Sequence, residues 1–226
     1  MLIVENVEVV GFRPATRGMR NPMNSHNKSD SLFLPKEYCD EEADFELAEA
    51  CAGVAPIIKE NDLGLMQRLY KAGSEHRKYD RMIMAYMDIT ANHTFWAEFD
   101  TYKIGTVRNS CSKMHKIHVK EFVPGDFDSE GIEEVGGKCL EHFHRTIEML
   151  EWLRVMFNET HEKRYWRAII EMLPMGYRIK ATVMMSYETV FNIIKQRTGH
   201  KLLEWGQLIE ELRKLPYIEE IMNSEK

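Results

Sequence analysis

Leu173–Arg197 reads LPMGYRIKATVMMSYETVFNIIKQR. Leu173-Pro174 stops the helical pattern before it, because proline lacks the amide proton that a helix interior needs. Arg178 to Met185 reads as a strand. Tyr187 to Arg197 reads as a helix with Val190, Ile193 and Ile194 on one face, and Gly199 breaks it. A strand therefore feeds directly into an amphipathic helix.

Other elements extend outward from this pair. Upstream, Lys138–Asn158 and about Glu162–Met172 are helical, and Pro124–Asp128 is a turn. Downstream, Leu202–Leu212 is a last amphipathic helix closed by Pro216. Leu2–Phe12 is rich in Val and Ile and reads as a strand. Residues 13–38 form a loop-rich segment, and its stretch RPATRGMRNPMNSHNKSDS is expected to be a long ordered loop. Asp40–Glu60 looks helical with an interruption near Pro56. Asn61 or Asp62 caps a better helix whose face is Leu63, Met66, Leu69 and Tyr70, ended by Gly73. Met82–Ile89 fits a buried strand, and Thr90 is the expected N-cap of a helix from Ala91 to about Lys103. No linker divides the sequence, so 1–226 is expected to be a single domain.

Between that helix and Pro124 lies a basic run. From Thr101 to Lys120 there is no acidic residue, although the whole chain carries a net charge of -6. Lys103, Arg108, Lys113, Lys116 and Lys120 alternate with small polar residues that include Thr106, Asn109, Ser110 and Ser112. Cations beside small hydroxyl and amide side chains suit an anion such as phosphate. The same composition also fits a solvated basic loop. The acidic overall charge argues against general nucleic-acid binding, which calls for a basic domain.

Metal and nucleophile signals are weak. His115/His118, His142/His144 and Glu141/His144 are short pairs without the further ligands that a helical metal site needs, so they read as surface histidines. The four cysteines, Cys39, Cys51, Cys111 and Cys139, form no CxxC pair and read as reduced, mostly buried thiols. Cys111 lies in the basic run but has no assigned base. No GxSxG, P-loop or dinucleotide-binding glycine fingerprint appears. No apolar run reaches a membrane span and no leader pattern is visible, so a cytoplasmic protein is expected.

The C-terminal third holds a second polar cluster of Asn192, Arg197 and His200. On an ideal helix, Asn192 and Arg197 point about 140° apart. Order and spacing here resemble the flavin-dependent thymidylate synthases, the ThyX family: a Leu-Pro, a strand, then a helix ending in Arg with a His close behind. NDLGLMQRLYKAG from Asn61 resembles the family's helix before its Gly-His-Glu-Ser segment, where this chain has Gly73-Ser74-Glu75-His76. The resemblance spans roughly Asn61 to Leu215. Thr101-Tyr102-Lys103 stands where the family has Arg-His-Arg, and Glu188 where it usually has Arg.

The resemblance implies an α+β fold: a small, mostly antiparallel sheet packed with several helices. It implies a homotetramer with sites between subunits, no membrane and no nucleic-acid partner. It implies reductive methylation of dUMP to dTMP, or a related one-carbon transfer to a pyrimidine nucleotide, with FAD as cofactor and NADPH and methylenetetrahydrofolate as cosubstrates. Arg197 is the implied catalytic and substrate-binding residue, with Arg108 and Ser112 also toward substrate. Lys103, Asn109, Asn192 and His200 are the implied cofactor contacts. The departures at 101–103 and 188 keep open a non-catalytic nucleotide- or flavin-binding protein on the same scaffold.

Overall fold

A computed structural model of the chain describes residues 1–33 and 56–223. The expected Asp40–Glu60 helix lies largely outside the described residues, as do Cys39 and Cys51. Four strands, β1 (Ile3–Val10), β2 (Met84–Asn92), β3 (Thr106–Ser110) and β4 (Arg178–Ser186), form an antiparallel sheet in the order β1-β2-β4-β3. The described helices are α1 (Phe12–Arg20), α2 (Glu60–Ala72), α3 (His93–Phe99), α4 (Lys113–Lys116), α5 (Glu130–Val135), α6 (Gly137–Thr160), α7 (Lys163–Met172), α8 (Tyr187–Arg197), α9 (Leu203–Arg213) and α10 (Ile218–Met222). The fold is α+β, as the sequence implies.

By internal contacts the chain divides into two compact units. The first comprises residues 1–3, 89–101 and 109–181. Its apolar cluster is Ile117, Phe122, Phe127, Phe143, Ile147, Leu150, Leu153 and Ile169. Phe143, Ile147, Leu150 and Leu153 recur at helical spacing along α6, which turns one face inward. At α3, the N-cap is Asn92, whose side chain accepts from Phe95 N at 2.8 Å. Thr90, the expected cap, is still inside β2. The helix buries Phe95, Trp96 and Phe99 and ends there, four residues short of Lys103.

The second unit comprises residues 4–88, 102–108 and 182–226. Part of the stretch read as a loop is instead α1, followed by 3-10 turns at Asn21–Met23 and His26–Lys28. Pro14 lies in the first turn of α1, where its missing N–H costs nothing. Phe12, Ala15, Thr16 and Met19 give the helix a buried face. Gly11 has φ +101°, and a Cβ there would lie 2.0 Å from Met82 O, so only glycine makes this corner.

Asp62 is not the cap of α2. It is buried, and its Oδ1 takes Arg20 Nε at 2.6 Å. Its Oδ2 accepts from Ser29 Oγ, Ser31 Oγ and the Asp30 and Ser31 amides at 2.7–3.1 Å. The cap comes from distant sequence instead: Asp30 accepts from Asn61 N and Asp62 N at 3.0 and 3.1 Å. Burial raises the Asp62 pKa, but the bonds from Ser31, Ser29 and Arg20 outweigh it and the net shift is down.

Candidate functional site

In the second unit, α8 carries the residues of interest because its two faces differ. Tyr187, Val190, Phe191, Ile193 and Ile194 are buried. Tyr187 N donates to Ile83 O at 2.9 Å and its hydroxyl to Pro216 O at 2.9 Å, which fixes the start of the helix. Ser186 caps it by accepting from Thr189 N. Gly105, at φ +74°, comes so near that a Cβ would meet Ser186 Oγ at 2.8 Å. The Gly105 carbonyl accepts from Ser186 N at 2.9 Å, and Thr189 Oγ1 donates to Ile104 O at 3.1 Å. These contacts hold residues 102–105 against α8.

That registration brings Tyr102 to Arg197. Arg197 Nε donates to Tyr102 Oη at 3.0 Å, and Tyr102 Oη donates to Gln196 Oε1 at 3.1 Å. The guanidinium lies 4.6 Å from the Trp205 ring centroid and 5.5 Å from that of Tyr102. The two rings meet edge to face at 5.8 Å. His200 Nε2 is 3.2 Å from Arg197 Nη1, and its Nδ1 is 3.2 Å from Leu202 N. A neutral imidazole has one acceptor nitrogen, so His200 serves Arg197 or Leu202 but not both at once. Arg197 is thus a half-buried cation held by the Trp205 and Tyr102 rings and the Tyr102 hydroxyl, with the His200 imidazole beside it.

One turn back, a second set of contacts engages α8. Arg77 Nη2 donates to Asn192 Oδ1 at 3.2 Å. Arg81 binds Glu188 through two bonds, 2.7 and 2.9 Å. Two arginines four apart therefore meet two α8 residues four apart. Glu188 would repel a phosphate, but here its charge is neutralised by Arg81. Asp80 is fully buried beside Arg77, with Nε to Oδ2 at 3.4 Å. Burial pushes its carboxyl up to about 7; Arg77 opposes the shift and Glu188 adds to it.

The first unit contains a cleft of about 150 Å³ lined by Cys111, Ser112, Lys113, Lys116, Ile117, Tyr177, Arg178, Ile179 and Lys180. Four lining residues are cations and none is a carboxylate. Ile117, Ile179 and Tyr177 supply an apolar wall. Lys113 Nζ sits 3.1 and 3.3 Å from the two His93 ring nitrogens. Arg178 is anchored by Asp128 at 3.9 Å and by a bond to the Gly125 carbonyl. Burial raises the Tyr177 phenol pKa, with smaller contributions from Asp126 and Cys111, which keeps the ring neutral beside the cations.

The sequence-derived candidates fall into separate groups. Arg197 and His200 touch each other. Asn192 is not with them and pairs with Arg77, so the 140° divergence along α8 stands and each residue has its own neighbours. Lys103 is exposed and Arg108 is half-buried in β3. Asn109 is exposed at the far end of β3. Ser112 caps α4 by accepting from His115 N at 3.3 Å, and it lines the cleft. Cys111 and Cys139 are exposed, against the expectation of buried thiols. Among the described residues no group of three or more His, Cys, Asp or Glu is placed to hold a metal. No described helix is long and apolar enough to cross a membrane.

Sequence reasoning places Tyr102 at the family's Arg-His-Arg position and in a helix expected to run to about Lys103, and it gives Tyr102 no contact with Arg197; the helix ends at Phe99. It places Trp205 near the family's Ala-Gln-aromatic-Glu run without a contact to Arg197, and it misses Arg77 and Asp80, which carry no motif. Arg178 and Lys180 had a legible signal: two residues apart in a strand, they share a face.

No protein-family model matches the chain, and no curated protein does either. Among solved structures, the flavin-dependent thymidylate synthase ThyX from Helicobacter pylori is similar. One structure, complexed with FAD and dUMP, has a TM-score of 0.62 at 14% identity, covering 97% of this chain and 95% of that one. A second, also with FAD and dUMP, has a TM-score of 0.59 at 15% identity over 94% and 91% of the two chains. The chain has a ThyX-like fold.

Proposed function

We propose that this protein binds flavin and a pyrimidine nucleotide and carries out flavin-dependent reductive methylation of dUMP to dTMP, or a related one-carbon transfer to a pyrimidine nucleotide. The observation that carries the reading is Arg197, held at the end of α8 by Tyr102 and Trp205 on a fold shared with a thymidylate synthase solved with FAD and dUMP. A guanidinium fixed before its ligand arrives loses little entropy on binding and is always charged. Arg197 is the residue that holds and orients the nucleotide, with Arg108 and Ser112 as further substrate contacts. Lys103, Asn109, Asn192 and His200 are the contacts to FAD. The residue types fit: amide and imidazole groups serve a ring system and cations serve phosphates. Bound FAD supplies hydride, with methylenetetrahydrofolate as the one-carbon donor and NADPH as the reductant. The cations that line the cleft of the first unit suit a phosphate in the same way. The protein is a cytoplasmic homotetramer in this reading.

A second reading has a specific observation behind it. The Arg-His-Arg motif of the family is replaced by Thr101-Tyr102-Lys103, and Tyr102 is engaged by Arg197. That favours a nucleotide- or flavin-binding protein without turnover. Visible absorbance of the purified protein with and without FAD, followed by an assay for dTMP from dUMP, methylenetetrahydrofolate and NADPH, separates the two. A bound-flavin spectrum with dTMP formation supports the enzyme, and ligand binding without product supports the second reading. Failure to bind either FAD or dUMP at millimolar concentration refutes both.

A further inference from the structure

The stripe of α8 that carries Asn192 is read in detail by its neighbours. Arg77 is 7% exposed and its guanidinium packs 5.4 Å over the Tyr70 ring. Its Nε faces the buried carboxylate of Asp80 at 3.4 Å, and its Nη2 reaches Asn192 Oδ1 at 3.2 Å. A guanidinium has donors only and does not lose its charge. The Asn192 amide therefore has one tolerable orientation. Flipping it would point its NH₂ at the Arg77 N–H groups, with donor against donor at a site shielded from water. Asn192 Nδ2 makes no hydrogen bond within the described residues, and the residue is half-buried. Lys195, one turn further, lies over the same Tyr70 ring at 4.7 Å and adds positive charge to the stripe.

We infer that Arg77 is a positioning residue that locks Asn192 with its oxygen inward, so that Asn192 meets a ligand only as a hydrogen-bond donor. The ligand group it takes is an acceptor: a ring carbonyl, an unprotonated ring nitrogen or a phosphate oxygen, and not an N–H or a hydroxyl donor. Asp80 holds Arg77, which makes Asp80 the base of a chain from buried carboxylate to guanidinium to amide to ligand. This selectivity is built into side chains that no short motif marks. It rests on the reading of Asn192 as a ligand contact given above.

Asn192→Asp is the sharpest test, because it keeps the side-chain shape and pairs still better with Arg77 while replacing the donor with an acceptor. Titration with FAD and, separately, with dUMP is the assay, with thermal unfolding as a check of the fold. For the probe that the wild type binds, Asn192→Asp is expected to weaken affinity at least about tenfold, with an unchanged or higher melting temperature. Arg77→Lys, which keeps a donor, is expected to retain most of the affinity. Arg77→Met, paired with Asp80→Asn so that no buried charge is stranded, is expected to lose it without a matching loss of fold. A merely structural role would not separate lysine from methionine at equal stability. Wild-type affinity in Asn192→Asp, or equal affinity in the lysine and methionine variants, overturns the inference while leaving the proposed function standing. If the wild type binds neither FAD nor dUMP, the proposed function fails and this inference goes with it.

Discussion

Tyr102→Phe removes one oxygen atom from the Arg197 cluster and nothing else. The phenylalanine ring keeps the edge-to-face contact with Trp205 and stays under the guanidinium. What goes is the acceptor of Arg197 Nε at 3.0 Å and the donor to Gln196 at 3.1 Å. A hydrogen bond to a charged group contributes about 1.5–3 kcal/mol. Arg197 and Tyr102 are half-buried, so the low end of that range applies, and the bond to exposed Gln196 adds little. A loss of about 1.5 kcal/mol lowers the melting temperature of a chain of this size by about 3–6 °C. Arg197 keeps its stacking on Trp205 but loses one of the contacts that fix its rotation. Its affinity for dUMP should then fall by about three- to tenfold, the cost of ordering one long side chain on binding. Scanning calorimetry and dUMP titration measure the two effects. An unchanged melting temperature refutes the claim that the Tyr102 hydroxyl holds Arg197. A lowered melting temperature with unchanged dUMP affinity shows that Tyr102 holds Arg197 but that Arg197 lies outside the nucleotide site.

Further outcomes follow from other parts of the molecule. Arg197→Ala should weaken nucleotide binding by about 1.5–3 kcal/mol, and unchanged affinity in a folded variant removes Arg197 from the site. Asp62→Ala leaves Arg20 buried without its counter-charge and should cost about 3–5 kcal/mol in urea unfolding; a change within error would show that the pair contributes nothing. Asp80 has a folded-state pKa near 7, above its unfolded value, so the folded protein holds the proton more tightly. Its contribution is full below about pH 4 and is lost as pH rises toward and through 7, with a slope of at most about 1.4 kcal/mol per pH unit. Asp80→Asn should flatten stability between those limits, and a slope identical to the wild type refutes the assignment. Lys180→Glu places a carboxylate among the cleft cations and should weaken phosphate binding by about tenfold at low salt, less at high salt; equal phosphate affinity in both proteins excludes the cleft as an anion site.

The departures from the family pattern have a physical account in part. Glu188 stands where an arginine is usual, yet Arg81 binds it through two bonds, so α8 does not present an uncompensated carboxylate there. Tyr102 replaces an expected histidine, and its hydroxyl still offers Arg197 an acceptor at 3.0 Å.

Elements with a strong local pattern were legible in the sequence. Tyr187–Arg197 is a helix with the boundaries read from its apolar face and the glycine beyond it, and the strand before it begins at Arg178 as expected. Long helices after Gly137 followed from spacing alone. The reading failed where a neighbour distant in sequence decides the outcome. Asp62 looks like a cap and is the buried partner of Arg20, while Asp30 supplies the cap. The 13–20 segment looks like a loop because its few apolar residues are diluted by arginines, and burial against the rest of its unit makes it helical.

The sequence by itself determined β1, β2 and β4, the helix that follows β4, the acid-free basic run and the Arg-then-His ending of α8, because these depend on the chemistry and spacing of adjacent residues. Only the tertiary structure decided that Arg197 rests between Trp205 and Tyr102, that Arg77 and not Arg197 meets Asn192, and that Arg178 and Lys180 join Lys113 and Lys116 around one cleft. Those pairings join residues far apart in sequence. Closing such contacts costs chain entropy that only cooperative packing of the core repays, and no local pattern records which ones it selects.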